Sequence, residues 1–455
     1  MKTACSRVFL VVALVALALA LTSCRGGIAP GKSEPLNITG TAPISGGVTT
    51  QGATPEVSGE QGAEAVPEAL AKPYVFIDPP PGKVEKFGVS VSASGERAIV
   101  GMPGVQDESL GKAYILNATI GSEGILQELS PAAVALNDRF GFSVAINGDD
   151  ALVGAPSTLV NGIFAGTVYA FHFENNKWVE KKPLALPVPI PAGGDQFGSS
   201  LALSGDYAIV GAPGKAVNNV LGAGAAFIFH KESGEWVLKQ EFYDPVPKNM
   251  DSFGFSVAIS NDKAIVGVPY GDTVVQGDQA GCAYTLRIGN NGWELMQGKL
   301  VASIYAISEH FGSSVAMDGD EILIGATLLA VKNVEHAGQV FAFHFDGNKW
   351  NQTQAIAMAS PKKDYFFGQS IAIKGTKAIV GNALSGVPET SAVFNMIRDA
   401  TGWQFSAPGL VTPAGEVQAG DGFGLSVGIG DDFYIVGAPS TSKVGPAMGR
   451  VYIMR

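Results

Sequence analysis

The chain has little cysteine, little histidine, no basic surplus and no long apolar run, and each shortage excludes a class of protein. Three of its 455 residues are cysteine. They stand at positions 5, 24 and 282, so no disulfide framework can form and stability must come from a packed core. Five residues are histidine. None has Cys or carboxylate neighbours at metal-ligand spacing. His172, His230 and His344 recur at one place in different repeat units and read as polar strand ends. Charged residues make up 16% of the chain and the net charge is −11. General nucleic-acid binding needs a basic footprint and is excluded. No Walker loop, zinc motif or nucleophile elbow occurs, so no cofactor and no metal is expected.

The apolar run Phe9 to Leu21 has thirteen residues, short of the roughly 20 that span a bilayer. It follows Lys2 and Arg7, the layout of a secretory leader. Leu21-Thr22-Ser23-Cys24 resembles a bacterial lipobox. That resemblance implies cleavage before Cys24 and acylation of Cys24, giving a lasting membrane anchor through several chains. Arg25, where an Asp would imply inner-membrane retention, points to the outer membrane. Loss of Lys2 and Arg7 with the leader takes the net charge from −11 to −13, a soluble, self-repelling surface. Residues 25–72 hold no aromatic residue and read as a tether reaching on the order of 40 Å. The expected organisation is a leader over 1–23, a lipidated Cys and tether over 24–72, and a folded domain over 73–455.

What is abundant is glycine, 59 residues, and much of it is periodic. The phrase F-G-x-S, closed by a Gly fourteen residues after the Phe, begins at Phe87, Phe140, Phe197, Phe253, Phe311, Phe367 and Phe423. A fixed period of this size signals an array of supersecondary units. In the second copy, Phe142 to Ile146 and Ala151 to Val153 read as a hairpin around Asn147-Gly148-Asp149. The spacing tolerates no insertion, because a one-residue slip would turn every side chain to the other face. A third strand follows, such as Thr167 to Phe171, then a polar turn. All five Trp residues open the fourth strand: Trp178, Trp236, Trp293, Trp350 and Trp403. Seven units of four antiparallel strands predict an all-β, seven-bladed propeller. The last unit ends on a third strand, Val451 to Met454. Tyr74 to Ile77 is a spare strand, predicted to pair with the last blade and close the ring.

The repeated Phe-Gly and Gly-Ala-Pro motifs resemble the FG-GAP repeat family over about residues 73–455. The family includes the propeller of integrin α-subunits, and Ser204 to Pro213 with Trp236 is similar to its bacterial lipoprotein members. The resemblance implies adhesion or scaffolding. Integrin-like calcium loops are long and acidic; here they shrink to turns such as Asp318-Gly319-Asp320-Glu321, so structural calcium is not expected.

A nucleophile would be singular and paired with a base. Seven equivalent serines, from Ser90 to Ser426, therefore read as structural. Acidic residues stand two before the Phe at Glu85, Asp138, Asp195, Asp251, Glu309 and Asp421, with Asp364 displaced by one. They read either as turn-forming residues or as an acidic collar around one channel mouth. The loops between second and third strands are longest in blades 2–5 and carry apolar side chains, among them Phe164, Leu221, Val275 and Leu329. They read either as a partner surface or as packing onto neighbouring blades. The expectation is a lipid-anchored, extracytoplasmic, non-catalytic module that binds protein or glycan. The rivals are an outer-membrane assembly factor and a channel-site enzyme acting on polysaccharide, whose two carboxylates would stand about 5–9.5 Å apart.

Overall fold

The computed structural model describes residues 74–80, 86–104, 109–119, 123–184, 186, 194–273, 279–304, 308–382, 392–410, 413, 416–418, 420–441 and 448–455. The leader, Cys24 and the tether lie outside the described residues. The described residues form seven four-stranded antiparallel sheets. Blade 1 runs through Ser90–Ser94, Arg97–Met102, Lys112–Asn117 and Gly124–Leu129. Five further blades repeat this order, and the seventh is made from both ends of the chain. Its first three strands are Ser426–Ile429, Tyr434–Ala438 and Arg450–Met454. Its fourth is Tyr74–Ile77, with Tyr74 opposite Met454 and Ile77 opposite Val451. The ring is thus closed by the spare strand, as its position in the sequence predicts. Arg450 locks this seam. Its guanidinium bonds Asp78 (2.6 Å) and Glu416 (3.1 Å) and lies 3.9 Å from the Phe76 ring centroid.

The repeated phrase is explained by how one blade docks on the next. Each Phe is buried to 0–1% and packs on the third-strand aromatic of its own blade. Phe140 meets Tyr169 at 5.2 Å and Phe423 meets Tyr452 at 5.2 Å. Burial of one such ring stabilises by about 1.5–3 kcal/mol. The Gly after it has φ between +88° and +94° in all seven copies, a region that only glycine enters cheaply. Its carbonyl accepts the hydroxyl of the serine in the preceding blade: Ser90 to Gly141, Ser143 to Gly198, and so on round to Ser426 with Gly88, at 2.5–2.9 Å. The seven serines are therefore structural.

The closing Gly must be glycine for a second reason. A Cβ on Gly101, Gly154 or any of its equivalents would meet the next blade's Gly carbonyl oxygen at 2.0–2.4 Å. The residue before each Phe also has positive φ, from Lys86 to Phe366. Such a conformation costs a non-glycine residue of order 1 kcal/mol. The docking contacts of the following dipeptide offset it.

The opposite face carries a second set of stitches. The side chains of Ser94, Asn147, Ser204, Ser260 and Asp318 accept the turn N–H of the next blade, at 2.5–3.3 Å. Lys374 and Asp431 form an ion pair between blades 6 and 7, and the Asp431 N–H donates to Gly95 O in blade 1. At the rim, Gln127, Gln297 and Gln354 each bond both backbone groups of the Trp on the next blade, Trp178, Trp350 and Trp403. The Trp position in the repeat is therefore a joint between outer strands.

Candidate functional site

Antiparallel chain direction places the second-to-third loops and the crossovers between blades on one face, and both hairpin turns of every blade on the other. On the first, long-loop face, the loops of blades 2, 3 and 5 fold into small hairpins. Leu159–Val160 pairs with Ile163–Phe164, Val217 with Val220, and Val331 with Val334. Their tips, Asn161-Gly162, Asn218-Asn219 and Lys332-Asn333, have positive φ at both residues, the type I′ geometry that Asn and Gly favour.

The outgoing arm is then clamped by the crossover entering the next blade. The Gly194 N–H donates to Phe164 O (2.7 Å), Met250 to Leu221 O (3.0 Å) and Asp364 to Glu335 O (3.1 Å). With the backbone held, the side chains project outward. Phe164 is 54% exposed and Leu221 60%. In blade 5 the same place holds Glu335, paired with Lys363 at 2.6 Å, beside His336, whose Nδ1 lies 2.7 Å from Asp364.

The other sequence-derived residues fall elsewhere. Leu329 is 3% exposed and packs in the blade 5 core, so it presents no surface. It stands at the root of the loop, where blade 3 has the equally buried Lys215, and the outward position of this loop is Glu335. Val275 lies outside the described residues. Asp138, Asp195, Asp251 and Asp421 are 0–5% exposed and form no open collar. The Asp138, Asp251 and Asp421 carboxylates accept the N–H three residues earlier, from Ala135, Lys248 and Gln418. They fasten the turn that delivers each Phe.

Sequence reasoning missed other exposed apolar side chains on this face: Leu110, Leu136, Leu159, Val246 and Ile304. For Val246 a signal existed. It stands between Pro245 and Pro247, where no strand interior can lie. The three histidines end their strands beside acids or rings: His172 on Asp150 (2.9 Å), His344 on Glu321 (2.6 Å) and His230 against Tyr207 (4.6 Å).

Under the Val246 crossover lies a cluster of buried charge. Asp244, Asp251 and Asp272 are 1–5% exposed. Lys299 sits 3.1 Å from Asp244 and donates to the Asp272 carbonyl at 2.9 Å; Lys248 pairs with Asp272. Burial pushes the Asp251 carboxyl up to about 6, opposed by its bond from the Lys248 N–H and reinforced by Asp244 and Asp272. Burial, with Asp244 beside it, also pushes the Tyr284 phenol well above its ordinary value. Asp244 caps the crossover itself, accepting the Val246 N–H at 2.8 Å. Among the described residues no group of three or more His, Cys, Asp or Glu is placed to hold a metal ion. This charge holds the crossover in place and leaves Val246 outside.

The family comparison agrees with the geometry. The FG-GAP repeat family matches residues 126–171, 191–229, 236–286, 295–343 and 413–454. No curated protein matches. Among solved structures, the chain is similar to the β-propeller domain of the Trilobed protease from Pyrococcus furiosus, described as having an open velcro topology. The identity is 15%, the TM-score 0.46, and the match covers 78% of this chain and 91% of that one. The chain is a seven-bladed β-propeller built of FG-GAP repeats.

Proposed function

We propose that this propeller is a non-catalytic binding or scaffolding module that takes a protein or glycan partner on its long-loop face. On this reading it is held outside the cytoplasm by lipid on Cys24. The observation that carries the reading is the concentration of exposed apolar side chains there. Leu159, Phe164, Leu221, Val246 and Ile304 are 53–68% exposed, and the backbone of Phe164 and Leu221 is held by the neighbouring crossovers. Preorganised apolar groups on a rigid frame favour binding, because little ordering entropy remains to be lost. Commitment of the repeated serines and of the Asp138, Asp251 and Asp421 carboxylates to backbone hydrogen bonds supports a non-catalytic role.

Phe164→Glu with Leu221→Glu should remove the partner from crosslinked complexes on intact cells and leave the unfolding curve in place. An unchanged set of captured partners would overturn the proposal. Cys24→Ala should move the protein from the detergent phase to the aqueous phase.

A further inference from the structure

The residue before each repeated Phe stands near the axis of the propeller. In every blade the first strand is one edge of its sheet and packs on the first strands of the two neighbouring blades, so the first strands line the axis. The chain enters each of them through a four-residue turn that starts one residue before the Phe. In blades 2–7 an N–H closes this turn onto the carbonyl of that residue at 2.9–3.1 Å, as from Phe142 to Arg139 and from Ser313 to His310. The turns therefore encircle the axial mouth on the long-loop face. In blades 1–6 the first turn residue is Lys86, Arg139, Gln196, Ser252, His310 and Phe366. Two cations thus occupy adjacent blades, and no acid holds an equivalent position.

This pair is unlike the other cations of the chain. Among the described residues, each of the other five arginines pairs with an acid: Arg97 with Asp149, Arg287 with Glu294, Arg398 with Glu321, Arg450 with Asp78 and Arg455 with Glu123. Arg139 and Lys86 are half-buried, and among the described residues neither has an acid beside it. The Asp138 carboxylate, next to Arg139 in sequence, is taken by the Ala135 N–H. The Arg139 guanidinium lies over the Phe142 ring, 4.4 Å from its centroid, and its N–H groups meet no protein acceptor among the described residues. Burial pulls Arg139 below its ordinary value, and burial with Arg139 nearby pulls Lys86 down. Across the mouth the lining is aromatic and uncharged. His310 lies edge-on to Tyr270 at 4.8 Å, and Phe366 stacks on His336 at 5.7 Å. Burial, with His336 nearby, pushes His310 down to about 4, so it is neutral at pH 7.

We propose that Arg139 and Lys86 bind an oxyanion, the carboxylate or phosphate group of a ligand that enters the axial mouth. A partly buried charge without a partner is costly, and a like charge beside it adds to the cost. An oxyanion held between the two cations removes both penalties. A guanidinium offers parallel N–H groups that match two oxygens of either anion, and the lysine adds a point charge. The chain as a whole carries a net charge of −11, so this is a local cationic exception that an anion can find. The assignment does not rest on the apolar loop tips, whose variants are read by partner capture.

The test is calorimetric titration of the folded protein with inorganic phosphate and with succinate, in chloride buffer of matched ionic strength. At least one should bind in a one-to-one ratio. Binding of phosphate alone assigns a phosphorylated ligand, binding of succinate alone a carboxylate, and binding of both an oxyanion of either kind. Arg139→Gln should weaken binding by about tenfold or more, and Lys86→Gln by less. Arg287→Gln, whose ion pair is with Glu294 in the outer hairpin of blade 4, should leave it unchanged. In chloride alone Arg139→Gln should keep its unfolding midpoint, because no ion pair is lost. Absence of binding by both probes, undiminished binding by Arg139→Gln and Lys86→Gln, or a lower midpoint of Arg139→Gln in chloride alone would each overturn the proposal.

Discussion

In blade 3 the lysine near the buried aspartate comes from the second-to-third loop; in blade 4 it comes from the fourth strand. Asp195 and Asp251 both stand two residues before their Phe. Lys215, in the blade 3 loop, faces Glu241 on the outer strand at 3.7 Å. In blade 4 the outer strand carries Lys299, one residue before the pairing of Leu300 with Ala283; it pairs with Asp244 and bonds the backbone carbonyl of Asp272 on the loop, whose carboxylate pairs with Lys248. The two blades share a backbone plan and exchange the signs of two side chains. Burial pushes the Asp195 carboxyl up, and Lys215 opposes this. The exchange shows that the repeat fixes where charge must be balanced and leaves open which element supplies the balance.

The comparison breaks most sharply at Lys299. Lys299→Met leaves the buried Asp244 carboxylate without its cation and the Asp272 carbonyl without its donor, and should cost about 3–5 kcal/mol. Lys215→Met should cost less, about 1–2 kcal/mol, because its partner Glu241 keeps a side-chain exposure of 39%. Urea unfolding of both variants at neutral pH checks the order, and equal losses would contradict it.

A gentler probe is Asp251→Asn, which keeps an acceptor for the Lys248 N–H and removes the charge. The folded carboxyl titrates at about 6, above the ordinary value near 4. Its contribution to stability is therefore fully present below about pH 4 and is lost as pH rises through about 6. Wild type should lose stability relative to the Asn variant across that window. Parallel pH profiles for the two proteins would refute the assignment. The smallest effect on stability belongs to the paired Phe164 and Leu221 substitutions, where exposed side chains contribute little to the fold and the change should appear in capture alone.

The fold was legible because its constraints repeat. The Phe that fills each blade, the Gly at positive φ and the Gly that a neighbouring carbonyl touches are backbone requirements met seven times, so they leave a period in the sequence. The candidate face was legible in part. Phe164 and Leu221 could be placed on long loops, and they project. Leu329 precedes its hairpin and is buried, whereas Phe164 and Leu221 follow theirs; loop length and apolar character alone did not make that distinction.

By itself, the sequence determined the number of blades, their register, the place of the joints and the strand that closes the ring, since these follow from short-range spacing and hydrogen-bond geometry. Only the tertiary structure decided which loop residues face water, where the balancing lysines lie, and that the fourth strand of blade 4 stops short at Leu295. Those outcomes depend on contacts between residues distant in the chain, and packing against a neighbour sets them one blade at a time.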